Sequence, residues 1–185
     1  GSRGVGLGLR CQERTVRMIT LPQLKRLGGS RTKPLVLYIS EYEGIRYITN
    51  SYYLANVDKV AHLWADSNLQ CRPGCYVVTT SIRPQVGTPP NLSGLVPLYE
   101  PQHLVSRAEV AHRPAYLQFD EEMCMVWETK KESSVVVRKD FSEFVVGAVE
   151  RDWPDIEVTA ESPTKPVAFW HGHNLVGLVM PVLLP

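Results

Sequence analysis

Cysteine is scarce in this chain. Cys11, Cys71, Cys75 and Cys124 are the full complement, far below the ~8–10% typical of disulfide-built secreted domains. A cross-linked extracellular scaffold is excluded, and with no hydrophobic signal segment ahead of these residues a cytoplasmic location is expected. An excess of charge of one sign is also missing. Twenty Lys and Arg stand against 19 Asp and Glu, a formal net of +1, so no global field draws the protein onto nucleic acid or an anionic membrane, and any such contact must be local. No apolar run approaches the ~18 residues of a membrane-spanning helix. The longest, Leu175 to Leu184, is interrupted by Gly177 and Pro181, and no membrane partner is expected. A composition of 44% hydrophobic and 21% charged residues excludes disorder, collagen and coiled coil.

Signatures of catalysis are missing as well. The chain has no Gly-x-Ser-x-Gly elbow, no phosphate-cradling glycine loop after a strand and no His-Glu-x-x-His. Cys71-Arg-Pro-Gly-Cys75 supplies two thiols where a structural zinc needs four ligands, with no further Cys or His at diagnostic spacing. His171 and His173 fall in turn-forming sequence, and Asp120-Glu121-Glu122 reads as a solvated hairpin tip. No catalytic residue, metal or cofactor is expected. An uncharacterised hydrolase or metal enzyme on an α+β scaffold stays open as an alternative, because a fold does not fix a function.

What the sequence does contain is a repeat. Val16 to Thr20 is β-like, then Leu21, Leu24 and Leu27 follow at helical spacing, with Thr20 and Gln23 as a capping box and Gly28-Gly29 as the stop. Farther on, Val135 to Val137 precede Asp140 and Glu143 as an acidic capping box, with Phe141, Phe144, Val145, Ala148 and Val149 on one helical face. Thr20 and Asp140, Leu24 and Phe144, and Pro34 and Pro154 share one offset of 120 residues without a gap. Strand-like segments follow each helix: Pro34 to Ile39, Ile45 to Thr49 and Tyr52 to Val57 after the first, then Ile156 to Ala160, Val167 to Trp170 and Leu175 to Leu184 after the second. Between the halves, Val57, Val60, Ala61 and Trp64 have helical spacing and Tyr76 to Thr80 is β-rich. Residues 84–97 are rich in Pro and Gly, Pro101 opens a short helix reaching Ala111, and Ala115 to Phe119 forms a hairpin with Met123 to Trp127 that feeds Ser134 to Arg138.

The expected organisation is an arm or cloning remnant over 1–15 and a single domain over 16–185, with halves at about 16–83 and 114–185 and a connector at 84–113. The expected fold is α+β, with antiparallel sheets and both helices on one face.

A doubled β-α-β-β-β unit is the plan of the DNA-clamp domain, and two motifs resemble the bacterial DNA polymerase III beta sliding clamp. Ile48-Thr49-Asn50-Ser51-Tyr52-Tyr53-Leu54-Ala55 is similar to that family's Ala-Thr-Asp-Gly-His-Arg-Leu-Ala, and Val179-Met180-Pro181-Val182 is similar to its C-terminal Val-Met-Pro-Met. The likeness covers most of residues 16–184, with few identical positions. It implies a clamp-like, non-enzymatic protein of DNA replication, with a short chain that suits a virus or mobile element. It also implies an apolar pocket for the hydrophobic peptide of polymerases or other replication partners, with Thr49, Ser51, Tyr52 and Leu54 on one wall and Met180, Pro181 and Val182 on the other. Met adapts to varied side chains, and Pro on an edge strand leaves carbonyls unpaired for a ligand. A buried last strand is the plain alternative for Leu175 to Leu184.

Family chains carry three such domains and close a ring as a dimer, so a ring of this chain implies a homohexamer. The family's helices face double-stranded DNA; here Lys25, Arg26, Arg31 and Lys33 would make that contact, with a solvated face as the alternative. Ser142, Glu143, Glu150 and Asp152 on the second helix argue against phosphate contact. An adaptor that uses the fold without encircling DNA is the competing function.

Overall fold

The structure, a computed structural model, describes residues 18–28, 34–64, 70–99, 109–110, 114–128, 134–147, 155–172 and 174–183. It is α+β, with antiparallel sheets and few helices. Strands β1 (Leu35–Tyr42), β2 (Ile45–Thr49), β3 (Tyr53–Asn56), β4 (Gly74–Val78), β5 (Ile82–Gln85), β6 (Glu109–Val110), β10 (Ile156–Ala160), β11 (Val167–His171) and β12 (Asn174–Val179) form one sheet in the order β5-β4-β1-β2-β3-β12-β11-β10-β6. Strands β7 (Ala115–Phe119), β8 (Glu122–Glu128) and β9 (Ser134–Arg138) form a second sheet in that order. The helices are α1 (Leu21–Arg26) and α2 (Lys139–Val146).

Turn chemistry explains the hairpins. Glu43 and Gly44 between β1 and β2, and Asp120 and Glu121 between β7 and β8, all have positive φ, the geometry of two-residue loops whose twist matches the flanking strands. Alternation along the strands then sorts side chains to two faces. Leu37, Ile39, Ile48, Tyr53, Ala55, Val167, Phe169 and Val179 enter the larger core together with Leu24 and Leu27 of α1, Phe141, Phe144 and Val145 of α2, and Met125, Trp127, Val135 and Val137 of the second sheet. On the other face Tyr47, Leu54, Ala168, Trp170 and Leu178 pack with Leu92, Val96 and Tyr99, which lie on two short 3₁₀ turns. Each fully buried Leu or Phe contributes about 1.5–3 kcal/mol relative to exposure. Both helices roof the same core.

Thr20 caps α1 as the sequence predicts, accepting from the Gln23 N–H while the Gln23 side chain accepts from the Thr20 N–H. The second cap differs. Arg138 is the N-cap of α2 and makes no side-chain cap bond, because the Asp140 carboxylate is held by the Arg138 guanidinium and by the Phe141 N–H. This helix stops at Val146, before the predicted end, where Gly147 adopts φ 77° and closes it with a left-handed residue.

Other expectations are corrected. Residues 18–20 of the first predicted strand are not strand, and its start lies outside the described residues. The helical spacing of 57–64 resolves into two 3₁₀ turns, Val57–Lys59 and Ala61–Trp64. Ile82–Gln85, partly inside the predicted loop, pairs with β4 as an edge strand, the one place in a sheet that tolerates Pro84. The helix expected after Pro101 lies outside the described residues except at Glu109–Val110, which pair with β10. The last strand ends at Val179, because Pro181 has no N–H to extend the ladder.

Candidate functional site

Side chains build the turn between β2 and β3. Asn50 Oδ1 accepts from the N–H groups of Tyr52 (2.9 Å) and Tyr53 (3.2 Å), and Asn50 Nδ2 donates to Leu27 O (3.3 Å), tying the turn to the end of α1. The Thr49 hydroxyl donates to Tyr53 O (2.5 Å) and accepts from the Ser51 N–H (3.2 Å). Short polar side chains that bond their own backbone favour such turns. Ser51 takes φ 79°, the conformation glycine adopts most readily.

Two neighbouring tyrosines therefore part ways. Tyr53 is buried, packed against Phe141 and Phe144 at centroid distances of 5.4 and 4.9 Å. Tyr52 is 60% exposed and stacks on Phe141 at 6.3 Å with a 19° interplanar angle. Burial drives the Tyr53 phenol well above its ordinary pKa, with the Asp140 carboxylate adding to the effect; its hydroxyl has no hydrogen-bond partner among the described residues.

The chain after β12 runs alongside this turn. Met180 N–H donates to Tyr52 O (2.8 Å), and Val182 N–H donates to Val136 O on β9 (2.7 Å). Met180 is 41% exposed and Leu183 68%, with Pro181 and Val182 half-buried between them. Beneath Tyr52 the Arg138 guanidinium lies 4.1 Å from the Phe141 ring centroid, a cation–π contact. Asp140 and Glu122, the latter at 3.4 Å, flank the same guanidinium.

Of the seven sequence-predicted pocket residues, Tyr52 and Met180 are joined through the bond from Met180 N–H to Tyr52 O, with Ser51 next to the first and Pro181 and Val182 following the second along the chain. Thr49 is buried and shapes the turn through its hydroxyl. Leu54 is a correction: it is buried with Tyr47 and Trp170 on the opposite face of the sheet, because strand alternation from Tyr53 sends it there. Phe141 and Arg138 are the residues that sequence reading missed. Phe141 has a core helical spacing that gives no sign of the Tyr52 ring stacked on it, and only the three-residue step from Arg138 to Phe141 at a helix start hints that those two stack.

A cavity of about 450 Å³ separates the helices, lined by Gln23, Arg26, Leu27, Lys59, Glu143 and Phe144 among others. Lys59 donates to Val146 O at the end of α2 (3.3 Å), and burial lowers its pKa against a smaller opposing pull from Asp58. Lys25 and Arg26 form the last turn of α1, and Lys139 pairs with Glu143 on α2 at 3.0 Å. Arg31 and Lys33 lie outside the described residues.

Cys71 and Cys75 do not converge. Cys71 packs into the larger core with Tyr76, whereas Cys75, next to Tyr76 on β4, faces the other way, towards Gly87. Among the described residues no three His, Cys, Asp or Glu side chains are grouped to hold a metal ion, and no helix is long and apolar enough to cross a membrane. No family model, curated protein or solved structure matches the chain.

Proposed function

We propose that this chain is a clamp-like, non-enzymatic protein of DNA replication that docks a short hydrophobic peptide of a partner protein in the groove between Tyr52 and Met180. The carrying observation is that the two motifs resembling the clamp pocket, over a hundred residues apart in sequence, are hydrogen-bonded to each other through Met180 N–H and Tyr52 O with both side chains exposed. An adaptable thioether beside a ring stacked on a packed aromatic suits apolar and aromatic peptide side chains. The freely exposed Leu183 extends the same surface.

The strand order supports the doubled plan behind this reading. Around the β3–β12 pair the order β1-β2-β3-β12-β11-β10 is the same from either end, as expected of two halves, each with a helix followed by three strands. Both helices contribute to one core and one cavity. That placement favours a second reading in which a ring of copies lines double-stranded DNA with these helices. Lys25, Arg26 and Lys139 would supply the local positive charge that the net charge lacks, opposed by Asp140 and Glu143.

Selection from a displayed library of random nonapeptides, counter-selected on the Tyr52→Ala/Met180→Ala double variant, tests the groove. Peptides rich in Leu and aromatic residues should bind the wild type and lose at least about tenfold in affinity on the double variant, the scale of an aromatic hot spot, while thermal unfolding stays cooperative. Peptides that bind both proteins equally, or none at all, would sink the proposal.

A further inference from the structure

The described sheet edges are unequal. At one end of the long sheet β5 carries Arg83 and Pro84, and at the other β6 has two residues. In the short sheet β9 has its Val136 carbonyl engaged by Val182 N–H. Strand β7 has none of these protections. Its sequence, Ala115-Tyr116-Leu117-Gln118-Phe119, lacks Pro, Gly and charge, its first four residues are exposed, and among the described residues it pairs only with β8. Natural proteins normally blunt a bare apolar edge.

The register shows what this edge can accept. The two-residue turn at Asp120-Glu121 closes on the pair Phe119–Glu122, so Ala115, Leu117 and Phe119 direct their backbone groups to β8. Tyr116 and Gln118 direct theirs outward. We propose that β7 pairs antiparallel with β7 of a second copy about a two-fold axis through Leu117, joining two three-stranded sheets into one of six strands. In that register Tyr116 meets Gln118 of the second copy, and all four outward N–H and C=O groups of each strand are satisfied. Ala115 meets Phe119, a small residue against a large one, and Leu117 meets Leu117. Pro114, which cannot donate, ends the ladder. Charge selects the antiparallel sense. Parallel pairing would set two Asp120-Glu121-Glu122 turns side by side, whereas the antiparallel sense separates them by about 17 Å along a five-residue strand, beyond the ~8 Å screening length. This inference rests on the β7 edge and is independent of the peptide groove.

Sedimentation of the full chain over roughly 1–300 µM, the range suited to a small interface, should give a dimer. Leu117→Lys and Leu117→Glu, each placing like charges on the axis, should each weaken it at least about tenfold, and mixing the two variants should restore it. In the wild type, hydrogen exchange at the Tyr116 and Gln118 amides should slow as concentration rises, whereas Leu117 stays protected throughout; this readout needs no variant to fold. The proposal is overturned by a single-copy mass across the range, by an assembly of any size that Leu117→Lys leaves unchanged, or by a mixture that stays monomeric. Peptide binding by the monomeric variants would leave the groove reading untouched.

Discussion

Replacing Gly177 with alanine should loosen the middle of the long sheet. Gly177 lies in β12 opposite Ala55, beneath α2. A Cβ built there would sit 2.5 Å from Val145 Cγ1 and 3.2 Å from the carbonyl carbon of Leu54, closer still to that carbonyl's oxygen. Carbon atoms pack at about 3.5–4.0 Å, so the neighbouring atoms must give by about 1 Å. The Val145 methyl could rotate away, but the Leu54 carbonyl belongs to β3 and cannot move without its ladder. Overpacking of a close-packed site costs about 1–3 kcal/mol, and the backbone component puts this change at the upper end. The stiffer unfolded chain returns about 0.4–1 kcal/mol. A net loss of about 2 kcal/mol follows, a fall of about 4–8 °C in Tm for a chain of this size. Urea unfolding and calorimetry read both numbers. Gly94→Ala, where nothing lies within 4 Å, is the control and should stay within about 0.5 kcal/mol of wild type. Adding Val145→Ala should relieve only part of the loss, since the carbonyl clash remains. A Gly177→Ala protein as stable as wild type would refute the close approach of β12 to β3.

Ser51→Gly should stabilise the protein by about 0.5–1 kcal/mol, the left-handed penalty relieved less the added freedom of the unfolded chain; a loss of stability in urea would contradict the turn geometry. Asn50→Ala removes two hydrogen bonds within the same turn and one that ties it to Leu27 and should lower stability by about 1–2 kcal/mol and, on the proposed reading, weaken peptide capture. Tyr53→Phe removes a buried hydroxyl that has no partner among the described residues and should be neutral or stabilising by about 1 kcal/mol; a loss of stability would reveal a bond to that oxygen. The pH sign follows from the same ring. A phenol whose folded pKa is raised keeps its proton longer in the folded state, so the stability it contributes is complete below the unfolded value of about 10 and falls as pH rises above it. Stability curves from pH 8 to 11.5 should therefore decline less steeply in Tyr53→Phe than in wild type.

Local chemistry made much of the fold legible. The hairpins follow from Glu43-Gly44 and Asp120-Glu121, the first cap from Thr20 and Gln23, and the strand at Ile156–Ala160 from the alternation of Ile156, Val158 and Ala160. Errors arose where one residue had two physical options. Asp140 reads as a cap until a guanidinium two residues earlier takes its carboxylate, and Leu54 reads as a pocket wall until strand parity turns it inward. The neighbourhood of Tyr52 and Met180 was legible only in halves. Tyr52 and Met180 are each unremarkable exposed residues; their meeting depends on β3 lying beside β12, and on Phe141 of α2 giving Tyr52 a platform, neither of which is written in local spacing.

The β3–β12 pairing also sets the order in which the molecule can assemble. Hairpins such as β1–β2 and β7–β8 close over a few residues and form within microseconds. The central pair joins Tyr53 and Ala55 to Val179 and Gly177, over a hundred residues away, and must wait for a large loop to close. Until then β3 is a temporary edge at the middle of the future sheet, with Tyr53, Leu54 and Ala55, all buried in the finished protein, open to water. Tyr52 and Met180, which flank this pair, therefore come together only when the long loop closes, and β3 is open to mispairing until it does.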